Sequence, residues 1–527
     1  MRIIDLGSLD SSARAETCDV CVVGAGAGGI MLATLLARRG IAVTVLEAGG
    51  KICADGHAVG IEAAVVGSSY RATTAGRAFG LGGTTSLWGG QLVPHSEHDF
   101  RAQTTDGFDP WRHIVGVVSR HGADVAATLG LEPPCDWFSA SDCVPRRAVD
   151  TLRSRGLEII TADWLPFRKR NLSFLLKELG GVNERLSVFL HATAASWDIR
   201  REPQGSALID SVTARLESRA LTVKARAFVL AAGAIESTRI LLEMERQARV
   251  PFKKGAALGR YLSDHLSCRV ANVAPEDSAR CAETFGPRFR AGRMRTFRFI
   301  ERNPQDGPRC FFHFIYDNAD RGFFLAKKAL LGLQSRKVPD VSLGEAARAV
   351  PGLAALAWSR FVRARLHIAT GTPTHIQLDI EQRPDPANRV ELSDSLDAVG
   401  RPKPVVRWKV SGADYEAIRN AASRFLELWP APDAVAQPKR DQYFPRLQPA
   451  LSDAADAKPH DVYHPVGTCR MGADYEAVVT PDLGVHGAEN VSVVSTAVFP
   501  SAGTANPTFS MFCLAAALAE KLAREVR

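Results

Sequence analysis

Long apolar runs are missing from this chain. No stretch of about 18 apolar residues occurs in its 527 residues, so no membrane-spanning helix is expected. Residues Met1 to Glu16 lack the apolar core of a secretory signal, which makes a cytoplasmic protein the default expectation. Cysteine is sparse, ten residues scattered from Cys18 to Cys513, and these are expected to be reduced. The one C-x-x-C pair, Cys18 and Cys21, enters an apolar strand. No second Cys or His pair matches its spacing, so no metal site is expected. The net charge of +8 is dispersed and accompanies no nucleic-acid motif, so it reads as solvated surface. What remains is ordinary globular composition, 46% hydrophobic and 23% charged, in a chain too long for a single core.

The stretch Asp19 to Gly49 organises the rest. Val20 to Val23 is too short an apolar run for a helix and reads as a buried parallel strand. Gly24, Gly26 and Gly29 follow at G-x-G-x-x-G spacing, which supplies a tight bend, close backbone approach to a pyrophosphate, and close helix-on-strand packing. The next helix carries Ile30, Met31, Leu32, Leu35 and Leu36, and stops at Arg38, Arg39 and Gly40. A second strand, Ile41 to Leu46, ends at Glu47, an acid able to accept hydrogen bonds from an adenosine ribose. An isolated glycine pattern is weak. Strand, turn, helix, strand and acid in order point to a dinucleotide, FAD or NAD.

Further along, Arg77 to Pro94 holds five glycines between Gly80 and Gly90 with Thr84, Thr85 and Ser86 among them, and reads as a cofactor-lining loop. Leu186 to Leu190 and Ser211 to Leu216 read as strands. Phe228 to Leu230 is another, running through Gly233 into a helix with Ile240, Leu241 and Leu242. Leu378 to Trp408 alternates around two turn-rich segments and suggests an antiparallel sheet. Phe323 to Leu366 is basic and amphipathic, eight Lys and Arg against Asp340 and Glu345, a local net charge of +6. It reads as a solvated helical face, or as a surface for a membrane or an anionic partner. Val491 to Val494 reads as a strand, and Ser501 to Thr508 as a turn into an apolar helix with Asn506 at the N-cap and Pro507 at N1.

Taken together, GAGAGG with Glu47, GLGGTTSLWGG, FVLAAGAIESTR, LGRYLSDH (Leu258 to His265), HPVGTCRMG (His464 to Gly472) and VVTPDLGVHG with FPSAGTANPT resemble the glucose–methanol–choline (GMC) family of flavoprotein oxidoreductases. The resemblance covers both ends and the middle of the chain, in the family's order. It implies an α/β (α+β) fold, a Rossmann-like FAD-binding domain with a second, substrate domain built on an antiparallel sheet. The expected division is FAD-binding at 1–135, a connecting or substrate segment at 136–185, FAD-binding at 186–270, substrate domain at 271–455, and a C-terminal FAD-binding part with the catalytic residues at 456–527. The resemblance also implies FAD, with Gly24, Gly26, Gly29 and Glu47 at its ADP half and Gly83, Thr84, Ser86, Trp88 and Gly89 near its flavin. Gly233, Ser495, Pro507 and Thr508 complete the expected cofactor contacts. Leu87 stands where some relatives tether the flavin through histidine, so noncovalent FAD is expected; Ser495 stands where many have Asp.

The implied catalytic pair is His464 and Asn506. Oxidising an alcohol by hydride transfer to flavin N5 needs a base for the hydroxyl proton, and a neutral imidazole with an ordinary pKa near ~6.5 suits that task. Asn506 cannot titrate; it can hold the substrate oxygen and donate to the developing alkoxide. His460, Asp264 and His265 read as structural. The expected substrate is a sugar, glycoside or related polyol, and the expected acceptor is oxygen or a quinone or redox partner. Rival readings are a sterol-type or other secondary alcohol oxidase, a non-redox flavin-dependent lyase of the same family, and a flavin-binding protein without catalysis.

Overall fold

The structure, a computed structural model, describes residues 1–9, 13–101, 108–131, 143–180, 185–302, 307–430, 443–451 and 457–526. The apolar run at Val20 is the buried end of a longer strand, Ala13–Val23. This strand lies at the centre of an eight-stranded sheet, parallel to Val43–Leu46 on one side and to Arg219–Leu230 on the other. Val23 pairs with both Leu46 and Leu230, and Leu230 pairs with Val493 of the Val491–Val493 strand. Four strands therefore end level, and the glycine turn, Glu47, Gly233 and Ser495 all leave one carboxyl edge. That edge is where open α/β sheets of this Rossmann-like kind place their ligands. Helices Ala27–Arg38 and Thr508–Glu525 pack beneath it, and both are buried along most of their length, which explains their apolar composition.

A nine-stranded sheet of mainly antiparallel pairing forms the second layer system, with His265–Val273, Leu157–Trp164, Arg293–Glu301, Cys310–Tyr316 and Thr374–Glu381 as its main strands. His265–Val273 straddles position 270. Its core is aromatic where the first is aliphatic. Phe312 stacks on Phe425 at 4.0 Å, and Trp429 meets Phe299 edge-on at 5.2 Å, arrangements that contribute about 0.5–1.5 kcal/mol beyond burial.

The stretch Leu378 to Trp408 is divided between two sheets. Thr374–Glu381 lies in the large sheet, whereas Arg389–Leu396 and Pro402–Trp408 form a hairpin that pairs in parallel with Ala64–Gly67. Side-chain amides turn the chain away. Gln382 donates to Lys409 O at 2.7 Å and accepts from Trp408 Nε1 at 2.8 Å, while Asn388 pairs with the Lys409 backbone in both directions. The hairpin is also held to the helix Gly233–Ala248 electrostatically. The fully buried Arg239 guanidinium meets Glu236 and Glu243 at 2.8 Å each and Asp397 at 3.8 Å. Among the described residues no helix is long and apolar enough to cross a membrane, and the nine described cysteines are free; Cys135 lies outside them.

Candidate active site

The carboxyl edge opens on a cavity of about 770 Å³, within the roughly 300–1,000 Å³ of small-molecule and cofactor clefts. One end is built from backbone. Gly24 turns at φ +107°, a left-handed conformation that glycine adopts freely. The helix Ala27–Arg38 begins at Gly26 with no side chain capping it. Glu47 is buried and stitches this end together: its Oε2 accepts from Ala25 N at 2.7 Å and its Oε1 from Gly49 N at 2.9 Å. Burial pushes the Glu47 carboxyl above its ordinary range despite those backbone donors. The wall continues through Gly83, Thr84, Leu87, Trp88 and Gly89 of the glycine loop, then Gly233, then Ser495, Pro507 and Thr508.

Two expected cofactor residues lie off the cavity wall. Gly29 serves packing, since a Cβ there would come within 1.9 Å of Gly24 O. Ser86 is buried and donates to Gly83 O at 2.8 Å, tightening its own turn. Ser495 does line the wall, and its hydroxyl also caps the short turn at Ala497.

The lining fits a dinucleotide. At Gly26 and Gly233 a Cβ would meet no atom within 4 Å, so bare backbone faces the cavity. The helix starting at Thr508, like that at Ala27, carries no side-chain cap, and both leave N–H groups and positive dipole ends for anionic groups.

The other end is built from side chains. Asn506 is not the N-cap expected of it: Pro507 takes that position and the helix starts at Thr508. Proline and the preceding turn leave the amide free for other work. Asn506 Nδ2 lies 3.2 Å from His464 Nε2, and its Oδ1 accepts from Arg298. His464 Nδ1 lies 3.0 Å from His265 Nδ1, and His265 Nε2 lies 2.9 Å from Gly503 O.

These contacts assign every proton. A carbonyl can accept and not donate, so His265 Nε2 carries a hydrogen. Burial keeps His265 below its ordinary pKa, so the ring is neutral and its Nδ1 is bare. His464 must then donate from Nδ1, which leaves His464 Nε2 as a lone pair. Arg298 has donors and no acceptor, so it faces Asn506 Oδ1 and fixes the amide with its NH2 toward His464. One chain of donors, Arg298 to Asn506, ends on the unprotonated Nε2 of His464, and a second runs away from its Nδ1 through His265 to Gly503 O. Burial, and then the neighbouring His265, hold the His464 imidazole well below its ordinary pKa, so it is neutral at pH 7.

His265, read from the sequence as structural, is thus a direct partner of His464. Asp264 does hold structure: its carboxylate accepts from the backbone N–H groups of His265 at 2.8 Å and His464 at 2.9 Å. Burial pushes that carboxyl well up, with nearby Asp461 adding to the effect. His460 lies on a two-residue strand, His460–Asp461, paired with His265–Val273. Arg298, Gln91, His313 and Asp379 were not singled out by motif, yet they line this end. Arg298 accepts no water-exposed position; it stacks 3.8 Å over Phe311 and donates to Gln91 Oε1 at 2.8 Å, and burial pushes its guanidinium down to about 9. Burial alone would raise the Asp379 carboxyl, but the hydrogen bond with His313 at 3.0 Å holds it below the usual carboxylate range.

Comparison with known proteins falls on these same two ends. A family model described as an FAD binding domain matches residues 17–68, which carry the glycine turn and Glu47. A second, described as GMC oxidoreductase, matches residues 384–515, which carry His464 and Asn506. The 6'''-hydroxyparomomycin C oxidase of Streptomyces lividus is 24% identical over 94% of this chain and 89% of its own. An alcohol dehydrogenase [acceptor] of Pseudomonas putida is 42% identical over a shorter stretch, 12% of each chain. The crystal structure of pyridoxine 4-oxidase from Mesorbium loti superposes with a TM-score of 0.57 at 17% identity, covering 96% of this chain and 99% of that one, and so shares the fold. One match lies on the backbone end of the cavity, one on its side-chain end, and one relative spans most of the chain: the protein is an FAD-dependent oxidoreductase of an alcohol CH–OH group, similar to the GMC oxidoreductases.

Proposed function

We propose that this enzyme oxidises a hydroxyl of a sugar, glycoside or related polyol, with His464 as the base and Asn506 as the donor to the substrate oxygen. The observation that carries the reading is the hydrogen-bond chain that leaves His464 Nε2 bare beside the Asn506 amide. His464 takes the hydroxyl proton at Nε2, and His265, accepting at the other ring nitrogen, keeps it in the tautomer that can do so. Asn506 donates from Nδ2 to the oxygen as negative charge develops there. The Arg298 guanidinium keeps that amide oriented and adds a fixed positive charge nearby. FAD, when bound, supplies the acceptor for the hydride released from the carbinol carbon. Gly24, Gly26, Glu47, Gly83, Thr84, Trp88, Gly89, Gly233, Ser495, Pro507 and Thr508 would hold it without a covalent bond, Leu87 offering none.

The substrate class rests on two supports. Gln91, Arg298, His313 and Asp379 make the wall beside His464 polar, as several hydroxyls require. A relative spanning most of the chain is named for oxidising 6'''-hydroxyparomomycin C. Oxygen, a quinone or a redox partner would take the electrons. In the same reading 1–135, 186–270 and 456–527 form the FAD-binding part and 271–455 the substrate part, with 136–185 connecting them. Buried, ionised Asp379 favours one variant, an alcohol that also carries a cation.

The test is anaerobic mixing of the yellow protein with a panel of neutral sugars, glycosides, amino sugars and choline. Loss of the flavin absorbance with a polyol is the expected result. Bleaching by sterols or aryl alcohols alone would overturn the substrate class.

A further inference from the structure

The basic stretch noted in the sequence folds as two helices, Arg321–Ser335 and Leu343–Phe361, that cross where Gly322 meets Gly352. A Cβ on Gly322 would lie 2.4 Å from the Gly352 backbone, so the crossing is tight. Both helices are capped at their starts, by Asp320 on Phe323 N and by the Ser342–Glu345 box. The pair is an ordered element, and it is turned inside out. Ala349 and Ser359 of the second helix are buried, while Leu343, Val350, Trp358 and Phe361 face solvent, Trp358 at 64% and Phe361 at 80% exposure. Spacings of seven, eight and three put these four on one stripe. Phe324, Leu333 and Val338 add exposed apolar area on the rest of the pair. An apolar stripe on the solvent side of a capped helix marks a surface with an occupant.

The charges say which occupant. Lys327, Lys328, Lys337 and Arg348 are exposed on the same pair of helices and its connection, with Asp340 and Glu345 as the acids within the stretch. Glu283, from a neighbouring element, meets Arg363 at 3.3 Å and Arg365 at 2.7 Å, so it offsets those two cations and not the lysines. A second copy of the chain would set this positive patch against itself, since a two-fold interface pairs the same surface. Exposed apolar and aromatic side chains on an element that also exposes an excess of cations match a bilayer with anionic headgroups. We infer that the 321–363 helix pair docks this enzyme on an anionic lipid surface, with Trp358 and Phe361 in the interface and Lys327, Lys328 and Lys337 on the headgroups. The docked face is coupled to the cavity wall: Gln334 of the first helix donates to Thr85 O at 2.9 Å and to Trp88 O at 2.8 Å in the glycine loop.

Flotation of the holoenzyme with vesicles tests this directly. Vesicles of equal parts phosphatidylglycerol and phosphatidylcholine should carry the protein upward at low salt, and phosphatidylcholine vesicles should not. Lys327→Ala with Lys328→Ala should weaken partitioning about 25-fold, near fivefold per cation. Trp358→Ser with Phe361→Ser should weaken it about 100-fold. Both pairs should keep flavin absorbance and the rate of flavin reduction in solution, because none of these residues lines the cavity. Absence of the wild type from anionic vesicles overturns the inference, and so does binding that survives both double substitutions. A wild type that sediments as a dimer and becomes monomeric with Trp358→Ser and Phe361→Ser would assign the face to a second copy instead.

Discussion

The two ends of the cavity are made of different material. At the Gly24 end the wall is mostly backbone: glycines, two helix starts, and a carboxylate that bonds its neighbours' N–H groups. At the His464 end the wall is side chain: an imidazole, an amide and a guanidinium in one hydrogen-bonded chain, with the His265 imidazole behind them. A backbone wall holds a ligand by shape and dipoles, and it does so whatever the pH. A side-chain wall can hold or move a proton, and it depends on tautomer and charge. The difference teaches that binding and chemistry are separable here, so substitutions at one end should leave the other's property standing.

The largest separation comes from His464→Ala. Flavin reduction by substrate should slow about 10²–10⁴-fold with loss of the base, while the protein stays yellow. Anaerobic stopped-flow reduction reads the first and absorbance after gel filtration reads the second. An unchanged rate would remove His464 from the chemistry. The reciprocal case is Glu47→Ala, which orphans the Ala25 and Gly49 N–H groups. It should cost FAD affinity about 1.5–3 kcal/mol, measured by titrating apoprotein, with the reduction rate of whatever holoenzyme forms preserved. Equal FAD affinity in the variant would show that the ADP end does not depend on this acid.

His265→Phe is subtler. It leaves His464 Nδ1–H without an acceptor, and reduction should slow by about 1–3 kcal/mol of barrier with FAD retained. Because the loss acts through the tautomer, the pH profile should change shape as well as height. An unaltered profile with a lower melting temperature would make His265 structural after all. The smallest effect concerns protonation itself. His464 is held below its ordinary pKa, so wild-type reduction should be flat through neutral pH and fall only as acid protonates Nε2, below about 6.5. Arg298 is one of the charges that depress it. Arg298→Gln should therefore move the acid limb toward higher pH. A limb that stays in place would mean that burial and His265 set the pKa without Arg298.

Local order made one end readable. Gly24, Gly26, Gly29 and Glu47 fall within one strand–turn–helix–strand unit of about thirty residues, and contacts inside that unit help place them. Gly29 packs against Gly24 O, as the third glycine of the turn is expected to, and Ser86 of the later glycine loop bonds Gly83 O. Asn506 was readable as a residue of interest next to Pro507, yet its cap role went to Pro507 because its amide is committed to Arg298 and His464. The adjacency of Asp264 and His265 was in view, but nothing in the spacing tells that the ring of one meets His464 while the carboxylate of the other holds both backbones.

By itself the sequence determined the dinucleotide turn, the short apolar runs that become buried parallel strands, and the amphipathic basic stretch. Those features depend on periodicity, glycine and charge within single segments. Tertiary structure alone decided which nitrogen of His464 is bare, that Arg298 joins Asn506 across 208 positions of chain, and that the stripe of Trp358 and Phe361 points to solvent. Each of those is a contact or an exposure set by how distant elements pack, and no local pattern carries that information.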